Sequence, residues 1–175
     1  AQLVHRAISG SAEAFARLYD AYVDDIYRFV YYRVGNEQTA EDLTAQVFMK
    51  AWDRLDSYQE RGAPFKAWLF QITRNLVIDY YRTRKETESL DVALSKPDPT
   101  VDVPQQVEQR LAGERVRRLL QQLTAEQREV LTLKFINGLS TREVSRIMKK
   151  RQGAIRALQM RALQALAALV GEEDE

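Results

Sequence analysis

The chain has 175 residues, enough for one medium domain or two small ones. It has no cysteine and a single histidine, His5, which excludes disulfides, thiolate metal centres and a histidine-built zinc site, so no cofactor is expected. The net charge is only +1 but unevenly spread: +1 over residues 1–85, −5 over 86–109, +9 over 110–170 and −4 over 171–175. A basic block beside an acidic stretch is a nucleic-acid signal, although charge alone is equally consistent with a solvated surface. No run approaches the roughly 20 apolar residues of a membrane span, and no basic segment followed by a short apolar run opens the chain as a secretory signal does. The first residue is Ala1, which reads as a trimmed start. The lack of cysteine suits a reducing, cytoplasmic location.

Phe15, Leu18, Tyr19, Tyr22, Ile26, Phe29 and Val30 recur at helical spacing and predict a first long helix, broken at Gly35-Asn36. The next predicted helix carries Leu43, Val47, Phe48, Ala51, Trp52 and Leu55 on one face, with Thr39 as its N-cap. A loop from Asp56 to Ala63 follows. Pro64 suits the first turn of a third helix that buries Phe65, Trp68, Leu69, Ile72 and Leu76. Aromatics at this spacing read as core rather than as a cofactor box. Pro97, Pro99 and Pro104 then cluster in or beside a polar, acidic run, Glu86 to Glu108, which reads as a linker.

Beyond it, Thr124-Ala125-Glu126-Gln127 and Ser140-Thr141-Arg142-Glu143 are capping-box patterns, and Gly138 is placed to end the helix that Thr124 begins. One helix is predicted at about 125–137 and a short one at about 141–148. A four-residue turn, Lys149 to Gln152, leads into a long helix from about Gly153 to Val170. Short helix, tight turn and longer helix form the helix-turn-helix plan. In the last helix Ile155, Leu158, Ala162, Leu166 and Leu169 make the buried stripe. Gly153, Arg156, Ala157, Met160, Arg161 and Gln164 make a second stripe that starts at the N-terminus, the end by which a recognition helix enters the major groove. Arginine grips guanine through two parallel hydrogen bonds and glutamine pairs with adenine. Lys149, Lys150 and Arg151 stand just ahead, suited to phosphates. An isolated amphipathic helix carries the same stripes; the capped short helix and the basic turn before it favour DNA. With no strand pattern and no repeat, the expected fold class is all-α: two small helical domains joined by an acidic flexible linker.

Two blocks then carry a resemblance. The first comprises Ala14 to Tyr19, Ala40-Glu41-Asp42-Leu43 through Trp52, Phe65-Lys66-Ala67-Trp68-Leu69 through Asn75, and finally Asp79 and Arg82. The second comprises Leu123 to Val130, Gly138 to Val144, and Gly153-Ala154-Ile155-Arg156 through Arg161-Ala162. Together, in this order and with an acidic linker between them, they resemble the extracytoplasmic-function (ECF) group of the sigma-70 superfamily, the bacterial RNA polymerase initiation factors. The resemblance implies a sigma-2-like domain over 1–85, a linker over 86–109, a sigma-4-like helix-turn-helix domain over 110–171 and an acidic tail over 172–175. It implies as partners the core RNA polymerase, promoter DNA both as duplex and as melted non-template strand, and an anti-sigma factor, with no insertion into a membrane.

It also implies roles. Asp42, Gln46, Lys50 and Arg54 project away from the Leu43/Val47/Trp52 face of their helix, as a surface docked on the polymerase clamp would; a solvated face has the same pattern. Opening the minus-ten element requires a pocket for flipped bases and cations for single-strand phosphates. Gln71, Asn75, Asp79 and Arg82 share one helix face. Asn75 can donate to and accept from a base edge, while Asp79 would read a base donor or orient a cation. Tyr58 and the Gln59–Ala63 loop would shape the pocket, and Arg82, Arg84 and Lys85 would meet phosphates. Arg156 and Arg161 are expected to contact bases or phosphates of the minus-thirty-five duplex, with Ala157 and Met160 facing bases. The linker's charge would imitate RNA in the exit path.

The chain departs from the family in three places. It has Ala45-Gln46 where Gln-Glu is frequent, Leu158 on the buried stripe where many members have arginine, and Lys149 where the turn usually carries glycine. Lysine is strained at positive φ, so a different turn is expected. Two other readings compete. A stand-alone helix-turn-helix regulator explains residues 120–170 but leaves the first domain idle. A sigma-like decoy that binds an anti-sigma factor is expected to lack promoter-facing residues, whereas Asn75, Arg82, Arg156 and Arg161 are present. An enzyme is not expected, since the pairs Asp24-Asp25 and Glu41-Asp42 point in different directions on a helix, and no nucleophile–base arrangement or phosphate-cradling glycine loop occurs.

Overall fold

The computed structural model describes residues 1–60, 64–87 and 104–175, of which 85–87 and 104–107 by backbone alone. The far end of the Gln59–Ala63 loop, most of the linker with its expected flexibility, and the side chain of Lys85 lie outside the described residues. Every regular element among the described residues is helical: α1 (Gln2–Ile8), α2 (Ala12–Val34), α3 (Glu37–Arg54), α4 (Phe65–Thr87), α5 (Pro104–Gln121), α6 (Ala125–Leu131), α7 (Thr141–Met148) and α8 (Gln152–Glu173), with a single 3-10 turn at Leu55–Ser57. No helix among them is long and apolar enough to cross a membrane.

Local chemistry sets the boundaries. Ser11 opens α2 by accepting from the Ala14 N–H at 3.2 Å. Gly35 closes it at φ 71°, its N–H bonded to the Tyr31 carbonyl at 2.8 Å. That left-handed exit restarts the chain at once. The cap of α3 is therefore Asn36, whose side chain accepts from the Thr39 N–H at 2.9 Å, and not Thr39 itself. Pro64 stands just ahead of α4, its carbonyl accepting from the Trp68 N–H at 3.0 Å, where a missing N–H costs nothing. Pro104 is the first residue of α5, so a helix begins inside the segment expected to be linker.

The predicted 125–137 helix is interrupted. A full capping box of Thr124 and Gln127 starts α6, but from Thr132 to Ile136 the turns widen to π geometry. The Thr132 hydroxyl donates to the Arg128 carbonyl at 2.8 Å, inside the turn where the ladder changes. The segment ends at Asn137 and at Gly138, φ 67°. α7 matches its prediction, though its box is half formed: Ser140 accepts from the Glu143 N–H, while the Glu143 carboxylate accepts a hydrogen bond from the Ser140 hydroxyl instead of from its backbone N–H.

Lys149 corrects the expectation of a different turn, since it adopts the left-handed conformation at φ 55°, ψ 45°. The turn survives because its ends are fixed. The Lys150 N–H reaches the Ser145 carbonyl at 3.1 Å, and the Ser145 hydroxyl donates to the Lys150 carbonyl at 2.5 Å.

In the N-terminal half, Ile26, Val30, Val47, Leu69 and Phe70 fill the space between α2, α3 and α4, with the Phe70 ring edge-on to Phe29 at 5.8 Å. In the C-terminal half, Val130, Leu133, Val144, Ile147 and Ile155 do the same among α6, α7 and α8. These are not two separate cores: buried side chains run continuously from one half to the other. α7 packs on α4, and both the π turn and α5 pack on α2. Polar contacts line this seam. Asn137 donates to the Asp25 carbonyl at 2.8 Å, Gln71 to the Arg146 carbonyl at 3.0 Å, and Arg74 pairs with Glu129 at 2.5 Å. Gly35 also belongs to the seam, because a Cβ there would lie 2.1 Å from the Arg117 guanidinium.

Candidate nucleic-acid interface

α8 sorts its residues as its spacing predicts. Ile155, Leu158 and Ala162 are buried, and Leu166 and Leu169 half-buried. Gly153, Arg156, Ala157, Met160, Arg161 and Gln164 are all exposed, Met160 by 64%. Arg156, Gln159, Met160, Leu163, Gln164 and Ala167 line one shallow groove along this face. Arg151 occupies the cap position of α8 without a side-chain cap bond, so the first-turn N–H groups keep their positive end for an anion. Lys149 and Arg151 are exposed beside it, whereas Lys150 is turned back to Glu126 at 3.1 Å. Of the three cations in the turn, Lys150 is the one already partly neutralised.

The conformation of Lys149 gives a prediction with two opposite signs. Lys149→Gly removes a left-handed non-glycine residue, which should raise folding stability by about 1 kcal/mol. It also removes one cation, which should flatten the salt dependence of DNA binding by about one unit in log–log slope. Thermal denaturation and a salt titration of duplex binding check the two halves separately; an unchanged slope takes Lys149 off the phosphate surface.

The face of α4 is divided. Asn75 is exposed, and Asp79 and Arg82 follow it, paired to each other at 3.1 Å. Of the two roles open to Asp79, this geometry matches orienting a cation. Arg84 donates to the Tyr80 hydroxyl at 2.9 Å and lies over that ring. Gln71 is not presented with them, because its amide is engaged by the last turn of α7. Tyr58 is only 6% exposed, packed against Phe65 and against Trp68 at 5.0 Å, so its ring is held by the first turn of α4. Burial first and Glu60 second push its hydroxyl pKa up, which keeps it neutral.

On α3, Asp42, Gln46 and Arg54 are exposed and Lys50 is half-buried. The sequence reading missed that this face also carries Met49, 67% exposed, and that Trp52 at its edge is 41% exposed although its ring meets Phe15 edge-on at 4.8 Å. An exposed thioether and indole between charges are what a helix-binding surface uses. Arg74 and Glu129 were missed as well. Each is a charge on an apolar stripe, Arg74 between Phe70 and Val77 and Glu129 four residues before Leu133, and that placement is the signal in the sequence.

Comparison with known proteins covers both halves. Residues 18–87 match the family described as Sigma-70 region 2, and residues 113–166 match Sigma-70, region 4. The chain is 41% identical to the ECF RNA polymerase sigma factor BldN of Streptomyces coelicolor over 98% of its own length, and spans 66% of that protein. It is 35% identical to the ECF RNA polymerase sigma factor SigM of Bacillus subtilis over 90% of its own length and 97% of that protein. Its fold is similar to CnrH, solved in complex with the cytosolic domain of CnrY, at a TM-score of 0.78 and 26% identity, covering 97% of this chain and 96% of that one.

Proposed function

The chain belongs to the ECF sigma factors of the sigma-70 family, and from that premise we infer that it binds core RNA polymerase, directs it to promoters and takes part in opening them. The observation that carries this reading is the α8 face: an exposed stripe of Arg156, Ala157, Met160 and Arg161 that starts at an uncapped helix end beside exposed Lys149 and Arg151. That is a basic, donor-rich ridge of the width a major groove admits. We assign it the minus-thirty-five duplex. Asn75, Asp79, Arg82 and Arg84 are assigned the minus-ten element, with Asn75 reading a base edge and the arginines holding phosphates. The α3 face with Asp42, Gln46, Met49 and Arg54 is assigned the polymerase clamp. The role is one of binding and positioning, not of enzymatic turnover, and its place is the cytoplasm, where polymerase and promoter DNA are. A restraining anti-sigma factor belongs to the same reading; the similar CnrH is itself held in a protein complex.

Run-off transcription with purified bacterial core polymerase on a pool of promoter fragments, with and without the chain, tests it. Specific transcripts that depend on the chain are the expected result. Tight binding to core with no dependent transcript from any fragment would leave the decoy reading standing. No binding to core would leave the stand-alone regulator.

A further inference from the structure

Lys150 stands among the cations at the entrance to α8 but is not presented with them. Lys149 and Arg151, on either side, are exposed, whereas the Lys150 side chain is two-thirds covered and its Nζ lies 3.1 Å from the Glu126 carboxylate. The backbone sets this direction. Lys149 takes the left-handed conformation, and Ser145 holds both the N–H and the carbonyl of Lys150. A main chain pinned on both sides leaves the Lys150 stem turned toward α6, where Glu126 stands in the first turn.

Glu126 is not needed to start that helix. The capping box is made by Thr124 and Gln127, with bonds of 3.2 and 3.3 Å, and the Glu126 side chain is half-exposed. A carboxylate in a first turn is favoured by the helix dipole alone. The lysine it meets comes from a different element, the turn between α7 and α8, beside the face assigned to duplex. Among the described residues Glu126 is the one carboxylate paired with a cation of this turn.

Taking the minus-thirty-five reading of α8 as given, we propose that Glu126 is a positioning residue that holds Lys150 away from the phosphate backbone. The helix-turn-helix then grips duplex with one cation fewer than its turn carries. The carboxylate and a phosphate oxygen are alternative partners for a single ammonium. Glu126 has the advantage of lying within reach of a stem that is already packed, since turning that stem to DNA exposes its methylenes. A phosphate contact carries no sequence information, so Glu126 sets the strength of the grip and not the choice of promoter.

The test uses the chain assembled with core polymerase and a promoter fragment from the run-off pool, with affinity measured across a range of salt. Glu126→Gln should tighten binding by about two- to fivefold, the range a part-exposed ion pair is worth. It should also steepen the log–log salt slope by about one unit. The order of preference among fragments should stay the same. Lys150→Met should flatten the slope far less than Lys149→Gly does, and Glu126→Gln on the Lys150→Met background should gain little. Equal gains on both backgrounds overturn the proposal, because Glu126 would then act by repelling phosphate directly. So does a Lys150→Met slope as flat as that of Lys149→Gly, which would mean that Lys150 leaves Glu126 when DNA binds. An unchanged slope in Glu126→Gln with its melting temperature retained, while Lys149→Gly still flattens the slope, overturns the role of Glu126 and keeps the turn on DNA. If neither Glu126→Gln nor Lys149→Gly moves affinity or slope, the minus-thirty-five reading of the turn falls and this role falls with it.

Discussion

Ile155→Ala should lower folding stability by about 2–5 kcal/mol and the melting temperature by on the order of 10 °C. Ile155 is fully buried in the first turn of α8, its N–H bonded to the Arg151 carbonyl at 3.0 Å, and it sits in the core that α8 shares with α6 and α7. Truncation removes three carbons from a site whose neighbours, Val130, Val144 and Ile147, are themselves almost fully buried and have little room to collapse. The loss falls on the end of α8 that carries the proposed recognition surface, so DNA binding should weaken only as far as the helix loosens. Thermal unfolding followed by circular dichroism measures it. A melting point within about 2 °C of the unmutated chain would show that Ile155 does not anchor this helix.

Arg156→Ala, one residue on, should behave in the opposite way. Arg156 is exposed, so stability should stay within about 0.5 kcal/mol. Affinity for a duplex carrying the minus-thirty-five element should fall by about 1–3 kcal/mol, roughly 5–150-fold, if the guanidinium takes a guanine through two hydrogen bonds. Arg161→Ala, on the same stripe, should lose a similar amount. A phosphate contact has a different signature: a uniform loss over all sequences and a salt slope smaller by about one. Selection of binding sites from a randomised duplex pool separates the two. Unchanged selectivity and an unchanged salt slope in both variants would remove this stripe from promoter contact.

The adjacency of these two residues shows what the sequence could disclose. A helix turns about 100° per residue, so Ile155 and Arg156 fall on different faces. Apolar spacing alone placed the first inside and the second outside. The same logic located α7, α8, the Thr124 capping box and the Gly35 break. It failed where burial depends on a neighbour distant in the chain. Periodicity reports that a face is covered but not by what, so the seating of α7 on α4, and with it the occupation of Gln71, left no local trace. The burial of Tyr58 has a related origin, since the rings that cover it, Phe65 and Trp68, belong to α4. The π turn was hidden because Thr132 to Ile136 keeps an ordinary helical composition. Trp52 was placed wholly inside because its spacing fits the apolar face, although the ring reaches the helix edge and stops half covered.

The core that runs through both halves has a bearing on how any affinity of the isolated chain is to be read. When only a fraction of molecules is competent to bind, the apparent dissociation constant is the intrinsic one divided by that fraction. With about one molecule in ten open, promoter fragments would be bound roughly tenfold more weakly than the open chain binds them.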